Sequence, residues 1–247
     1  MRLDLAFTLV DIPETGNAAW YQAAAKLMIA SARAAYQNHD LRIIQMTDEA
    51  SQVQEDIDIR FTPASKVERN ELAQFRGHCT AEWSLQTDRP TILCDVDMLW
   101  NNDQLTDAFK HPTADIWLFE RPHMEAQAFN GGLILTQPYQ YEFWTVYREM
   151  MKTLPKDICG WWGDQIGLTA MVGTPEPDQK GCKRFGSTIG YLPAKLISPT
   201  PREAPSALID APVMHYKGKA KRKALMVDYF KLLQEKWARD ADTRATA

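Results

Sequence analysis

Glycine is scarce where a nucleotide-binding chain would most need it. Gly16 is the only glycine before Gly77 in a chain of 247 residues. The first strand–helix turn therefore cannot carry a glycine-rich dinucleotide fingerprint or a phosphate-cradling loop. Any nucleotide bound here must have its phosphates handled by something else, and a metal is the usual substitute. The four cysteines, Cys79, Cys94, Cys159 and Cys182, stand far apart with no C-x-x-C pair. This excludes a zinc cage and a thioredoxin-type motif and leaves four reduced thiols. No run approaches the roughly 18 apolar residues of a membrane span. The opening apolar run, Leu5–Val10, is too short for a secretory core. Both features place the expectation in the cytoplasm. With a net charge of −4 there is no global field to attract polyanions.

What is present is the composition of an ordinary globular domain, 45% hydrophobic and 24% charged. Apolar runs of strand length at Leu5–Val10, Leu41–Met46, Ile57–Phe61, Thr91–Cys94, Ile116–Phe119 and Leu133–Leu135 predict strands. Helices are predicted between them. The first is capped by Asn17, with Trp20, Ala24, Leu27, Ser31 and Ala34 on one face. The second runs from Asn70 to about Leu85 through Leu72, Phe75, Cys79 and Trp83, and the third from Pro138 to about Lys152. Beyond it, prolines at 175, 177, 193, 199, 201, 205 and 212 predict irregular cover. A short strand at Val213–Met214 and a helix over Ala224–Ala238 follow. The expectation is one α/β domain over residues 1–238, with a central mixed, mostly parallel sheet flanked by helices, and a frayed polar tail over 239–247.

Asp95 and Asp97 end the strand Thr91–Cys94, where an open α/β sheet presents its ligands. Two carboxylates there suit a hard cation that neutralises a departing diphosphate. The triplet alone is a weak signal: 19 aspartates in this chain give three Asp-x-Asp triplets, and the other two, Asp56/Asp58 and Asp240/Asp242, read as solvated faces. Three more segments add to it. Phe129-Asn130-Gly131-Gly132 lets backbone approach a ligand and offers the Asn130 amide to a hydroxyl. Trp161-Trp162-Gly163-Asp164-Gln165 opens a helix with a carboxylate and an amide at its positive end. His215-Tyr216-Lys217-Gly218-Lys219-Ala220-Lys221 sets a metal-capable imidazole beside phosphate-pairing lysines. Taken singly, these also read as a tight turn, a helix cap over core tryptophans and a solvated basic turn.

In this order, Asp-x-Asp, Phe-Asn-Gly-Gly, Gly-Asp-Gln and His-x-x-Gly-x-x-Lys resemble the retaining GT-A-fold glycosyltransferases that include glycogenin and the bacterial lipooligosaccharide galactosyltransferases. The resemblance runs from Leu3 to about Lys223 and implies a GT-A (Rossmann-like) domain that moves a sugar from a nucleoside-diphosphate donor, such as a UDP-sugar, to a hydroxyl with retention. It implies Asp95, Asp97 and His215 as ligands of manganese or magnesium, the imidazole favouring manganese. Asn130, Gly131 and Gly132 would face the donor sugar, and Asp164 and Gln165 its reacting carbon. Gly218 and Lys221 would hold the diphosphate, Thr8 and Val10 the nucleoside, and Arg76 stands as the basic residue of the helix before the metal strand. The acceptor is a glycan, a lipid-linked or another hydroxyl. The basic run Lys217–Lys223 also suggests a polyanionic one, with a hydroxymethylated DNA base among the options. Two rivals are a haloacid-dehalogenase-like phosphatase, against which Leu99 and Leu168 stand where its pattern wants other residues, and a non-catalytic sugar-binding module.

Overall fold

The computed structural model describes residues 1–12, 18–121, 124–158, 162–192, 196–199, 206–216 and 220–245, with backbone alone for 198–199, 220–223, 241–242 and 244–245. Asn17, Trp161, Lys217, Gly218 and Lys219 lie outside these residues.

Three parallel strands open the chain. β1 (Arg2–Thr8) pairs with β2 (Asp40–Asp48), which pairs with β3 (Ile59–Ala64), and on its other side β1 pairs with β4 (Thr91–Cys94). α1 (Ala18–Ala35) and α2 (Leu72–Gln86) form the crossovers, and a one-turn α3 (Asp107–Lys110) follows β4 further along the chain. β7 (Phe129–Thr136) then runs antiparallel to both β4 and β6 (Ile116–Glu120). β9 (Ser187–Leu192) lies parallel to β6 and carries β8 (Gly181–Arg184) as an antiparallel edge. The order is β3-β2-β1-β4-β7-β6-β9-β8, the mixed, mostly parallel sheet expected. The β8–β9 hairpin falls in the proline-rich segment read as irregular cover, and β7 begins four residues before the predicted Leu133.

Sheet strands buried on both faces read as continuous apolar runs, and the core divides accordingly. Leu3, Leu5 and Phe7 of β1 point to one side, with Ile92, Leu133 and Leu135, against Met28, Ile29 and Ala32 of α1. Ala6, Ile44, Leu93 and Ile134 point to the other, against Phe75, Cys79 and Trp83 of α2 and against α4 (Tyr141–Thr153) and α5 (Gly163–Val172). Gly77 and Gly167 let the helices close on Met151, which a Cβ at either position would meet at 2.3 Å. The face of α1 is a correction. Met28, Ile29 and Ala32 meet the sheet, while Trp20, Ala24 and Leu27 turn toward the last helix, α6 (Ala220–Ala245). A helix covered on two sides has no single apolar stripe, and the sequence pattern marked the second one.

α6 also corrects the frayed tail, since it continues through Arg239 to Ala245. That stretch has no glycine or proline to stop a helix, and Thr243 Oγ1 donates to Arg239 O at 2.9 Å.

A second, three-stranded sheet was not foreseen: β10 (Ile197–Pro199), β11 (Val213–His215) and β5 (Met98–Trp100), in the order β10-β11-β5. β5 follows Asp97 directly, and β11 pairs antiparallel to it with His215 opposite Met98. This small sheet draws the two ends of the candidate site together.

Candidate active site

The carboxyl end of β4 is the centre of the site. Phe7 of β1 pairs with Cys94, so Thr8, the last residue of β1, sits beside the point where Asp95 leaves the sheet. Because β7 is antiparallel to β4, its glycine-rich start lies at the same edge, and Asp95 N–H donates to Gly132 O at 2.8 Å. Tyr216 N–H donates to Asp97 O at 2.7 Å, and His215 is thereby delivered from more than a hundred residues away.

His215 Nε2 lies 3.1 Å from Asp97 Oδ1 and 3.4 Å from Asp95 Oδ2. The three ligand atoms all fall within 4.8 Å of one another. Adjacent ligands of a divalent cation bound at about 2.1 Å stand about 3.0 to 3.4 Å apart, in octahedral or tetrahedral geometry. Two carboxylate oxygens and an imidazole nitrogen at these separations are a donor set into which such a cation fits. His215 is buried, and Asp95 and Asp97 are partly exposed.

Arg76 reaches in from α2. It donates to Asp95 Oδ1 at 2.7 Å and, through its other terminal nitrogen, to Asp164 Oδ2 of α5. The arginine thus turns the second oxygen of Asp95 toward His215, as outer-shell partners of metal ligands do. Burial opposes the charge on Arg76, but Asp164 and Asp95 outweigh it and raise its pKa. For Asp164, burial raises the pKa against the pull of Arg76.

The glycines have a steric reason. A Cβ at Gly132 would lie 2.1 Å from Asp95 Oδ2, and one at Gly131 would lie 2.5 Å from Asp164 Oδ2 and 2.8 Å from Gln165 Cγ. Asn130, mostly buried, accepts Gly132 N–H on its Oδ1 at 3.1 Å. Asp164 and Gln165 stand in the first turn of α5, only 2% and 3% exposed, and Tyr147 Oη donates to Asp164 O at 3.1 Å. Asp95, Asp97, His215, Arg76, Asn130, Gly131, Gly132, Asp164 and Gln165 therefore meet in one place. Thr8 is at its edge with a buried hydroxyl that has no partner among the described residues. Val10, partly exposed, packs against the hydrophobic core. Lys221 is placed by its backbone alone, at the second position of α6.

Two residues belong here that sequence reasoning missed. Burial raises the phenol pKa of Tyr21 in α1, and the nearby charges of Asp97 and Asp95 add to the rise. Arg121, just past β6, donates to Gln165 Oε1 and lies over the Trp162 ring at 5.6 Å from its centroid. Tyr21 was within reach of a pattern argument, being adjacent to the helix face read for Trp20. A lone arginine after a strand carries no such signal.

No family model matches the chain, and no curated protein does. Solved structures do. The galactosyltransferase LgtC, in complex with donor and acceptor sugar analogues, is 14% identical, with 93% of this chain and 94% of that one covered and a TM-score of 0.54. An active-site mutant of LgtC gives 15%, 92%, 95% and 0.53. A glycosyltransferase involved in glycosylation of the major capsid of PBCV-1 is 12% identical, covering 92% of this chain and 99% of that one at a TM-score of 0.56. The chain has the GT-A fold, and these structural neighbours are glycosyltransferases.

Proposed function

We propose that this protein is a metal-dependent glycosyltransferase that moves a sugar from a nucleoside-diphosphate donor, such as a UDP-sugar, to an acceptor hydroxyl on a glycan or lipid-linked molecule. The observation that carries the reading is the convergence of Asp95, Asp97 and His215 at the carboxyl edge of a GT-A sheet, where Gly131 and Gly132 let Asp164 and Asp95 pack directly against the start of β7. Asp95, Asp97 and His215 would hold the cation, manganese before magnesium because of the imidazole. When bound, it supplies Lewis-acid neutralisation of the charge that grows on the departing diphosphate.

The chain's own residues supply position. Asn130 is fixed by its bond to Gly132 N–H and presents its amide to a donor hydroxyl. Gly131 lets Asp164 and Gln165 pack directly against the β7 backbone, and the sugar's reacting carbon is expected beside these two side chains. Thr8 faces the nucleoside, and Gly218 and Lys221 are assigned to the diphosphate. Asp164 is buried and ion-paired with Arg76, and Gln165 is an amide whose oxygen is engaged by Arg121. Neither is a ready nucleophile. This supports retention by front-face attack, with the donor phosphate assisting the incoming hydroxyl and positioning carrying much of the acceleration.

Among the described residues no helix is long and apolar enough to cross a membrane, in keeping with a cytoplasmic enzyme. A modified DNA base as acceptor rests on Lys217–Lys223, whose side chains lie outside the described residues. The test is release of nucleoside diphosphate from a panel of nucleotide sugars, with manganese and with chelator. Manganese-dependent release from at least one donor, lost in Asp97→Ala, is expected; release indifferent to metal, or full activity in Asp97→Ala, contradicts the proposal.

A further inference from the structure

Among the described residues the ionic groups of the site pair off with one exception. Asp95 and Asp97 converge on the cation position with His215, and Arg76 is shared between Asp95 and Asp164. Arg121 is left over. Its hydrogen-bond partners among the described residues are all neutral: Gln165 Oε1, Gln127 Oε1 at 3.3 Å and Met124 Sδ. Beneath it lies the Trp162 ring. The carboxylate it feels most is Asp164, which Arg76 already engages, and burial lowers the Arg121 pKa against that pull. A half-buried guanidinium with only neutral partners is an unmet demand for an anion.

Its position says which substrate meets that demand. Asp164, packed against Gly131, is buried, and the donor sugar is assigned beside it. Arg121 reaches Gln165 in a more open neighbourhood, among Trp162 and Met124, which are 39% and 38% exposed. That exposed side is the one an acceptor can reach from solvent. Trp162 offers a sugar face a surface to lie on, while the planar fork of Arg121 suits a carboxylate or phosphate in two-point contact.

Resting on the glycosyltransferase reading, we propose that Arg121 is the specificity residue of the acceptor subsite, and that the acceptor carries a carboxylate or phosphate close to its reacting hydroxyl. The anion sits on Arg121, its ring lies against Trp162, and the hydroxyl is thereby set beside Gln165.

The test uses the manganese-loaded protein and any nucleotide sugar that it turns over, with one acceptor glycoside in three forms: neutral, uronic acid and 6-phosphate. An anionic form should be used about ten- to a hundredfold better in kcat/KM than the neutral one. Arg121→Gln should collapse that ratio, and Arg121→Lys should restore it in part. Equal use of all three forms, or an Arg121→Gln loss of the same size for charged and neutral acceptors, overturns the proposal, because a residue that merely orients Gln165 would act on both alike. In a parallel arm, UDP-glucose is compared with UDP-glucuronate; a preference that follows the donor's carboxylate instead overturns the acceptor assignment.

Should no nucleotide sugar be turned over, the glycosyltransferase reading fails separately. The subsite is then read by ligand-observed NMR of the neutral and phosphorylated glycosides. Selective binding of the phosphorylated form, lost in Arg121→Gln, supports it. Equal binding, or selectivity that survives the substitution, overturns it.

Discussion

Alanine at Gly132 perturbs the proposed metal cradle without altering any ligand. The added Cβ would stand 2.1 Å from Asp95 Oδ2, 2.7 Å from Asp95 Cγ and 3.1 Å from His215 Cε1. Carbon–oxygen contacts settle at about 3.3 Å, so the carboxylate must retreat by about 1 Å. It has nowhere cheap to go. Its other oxygen is held by Arg76 at 2.7 Å, and its backbone is bonded to Gly132 itself at 2.8 Å. Metal ligands tolerate displacements of about 0.2 Å, so manganese affinity should fall by about ten- to a hundredfold or more. Overpacking costs the fold about 1–3 kcal/mol, which a domain stable by about 5–15 kcal/mol survives.

Gly131→Ala is the matched control. Its Cβ would press on Asp164 Oδ2 and Gln165 Cγ and spare the three ligands. Manganese titrations followed by the paramagnetic signal of the free ion should show near wild-type affinity in Gly131→Ala and a large loss in Gly132→Ala, while nucleoside-diphosphate release falls in both. Wild-type affinity in Gly132→Ala, or equal losses in the two, would refute the placement of the ion against Asp95 Oδ2.

Further expectations concern charge. Manganese at a hundred times its dissociation constant should stabilise the wild type by about 2.7 kcal/mol, seen as a rise in Tm that is absent in Asp97→Asn; an equal rise in both would count against Asp97 as a ligand. At the far end of β1, Asp4 is fully buried and accepts from Arg42 Nε at 2.8 Å, Arg42 Nη2 at 2.9 Å and Thr87 Oγ1 at 2.6 Å. Asp4→Ala strands these donors and should cost about 3–5 kcal/mol in urea unfolding; a loss below about 1 kcal/mol would show the network to be dispensable. Burial holds the Asp164 carboxyl above its ordinary 3.8, with Arg76 pulling the other way. A carboxyl raised in the folded state favours folding at low pH and loses that contribution as pH rises through the folded pKa. The metal-free wild type should therefore lose stability relative to Asp164→Asn as pH climbs from 3.8 upward, and a flat or rising difference would contradict the burial argument.

How much of this was legible follows from the range of each interaction. β4, β6 and α2 could be read locally, because buried strands are short apolar runs and Phe75, Cys79 and Trp83 recur at helical spacing. Asp95 and Asp97 were legible as a strand-end pair. Their union with His215 was not, in physical terms: it depends on β5 pairing with β11, three-residue strands more than a hundred positions apart with no turn signal between Asp97 and Met98. Only the order of motifs along the chain pointed to it. The β8–β9 hairpin escaped for a different reason, since strand pairing at a sheet edge needs little apolar pattern and β8 is largely exposed. Arg121 escaped because its meaning lies in which neighbours are charged and which are not, and the fold alone decides that.

The most direct measurement is anomalous scattering at the manganese edge from crystals grown with manganese and a uridine diphosphate donor. One peak coordinated by Asp95, Asp97 and His215 Nε2 is what the proposed metal centre predicts. A peak elsewhere, or none, with His215 turned away from the two aspartates, would contradict it.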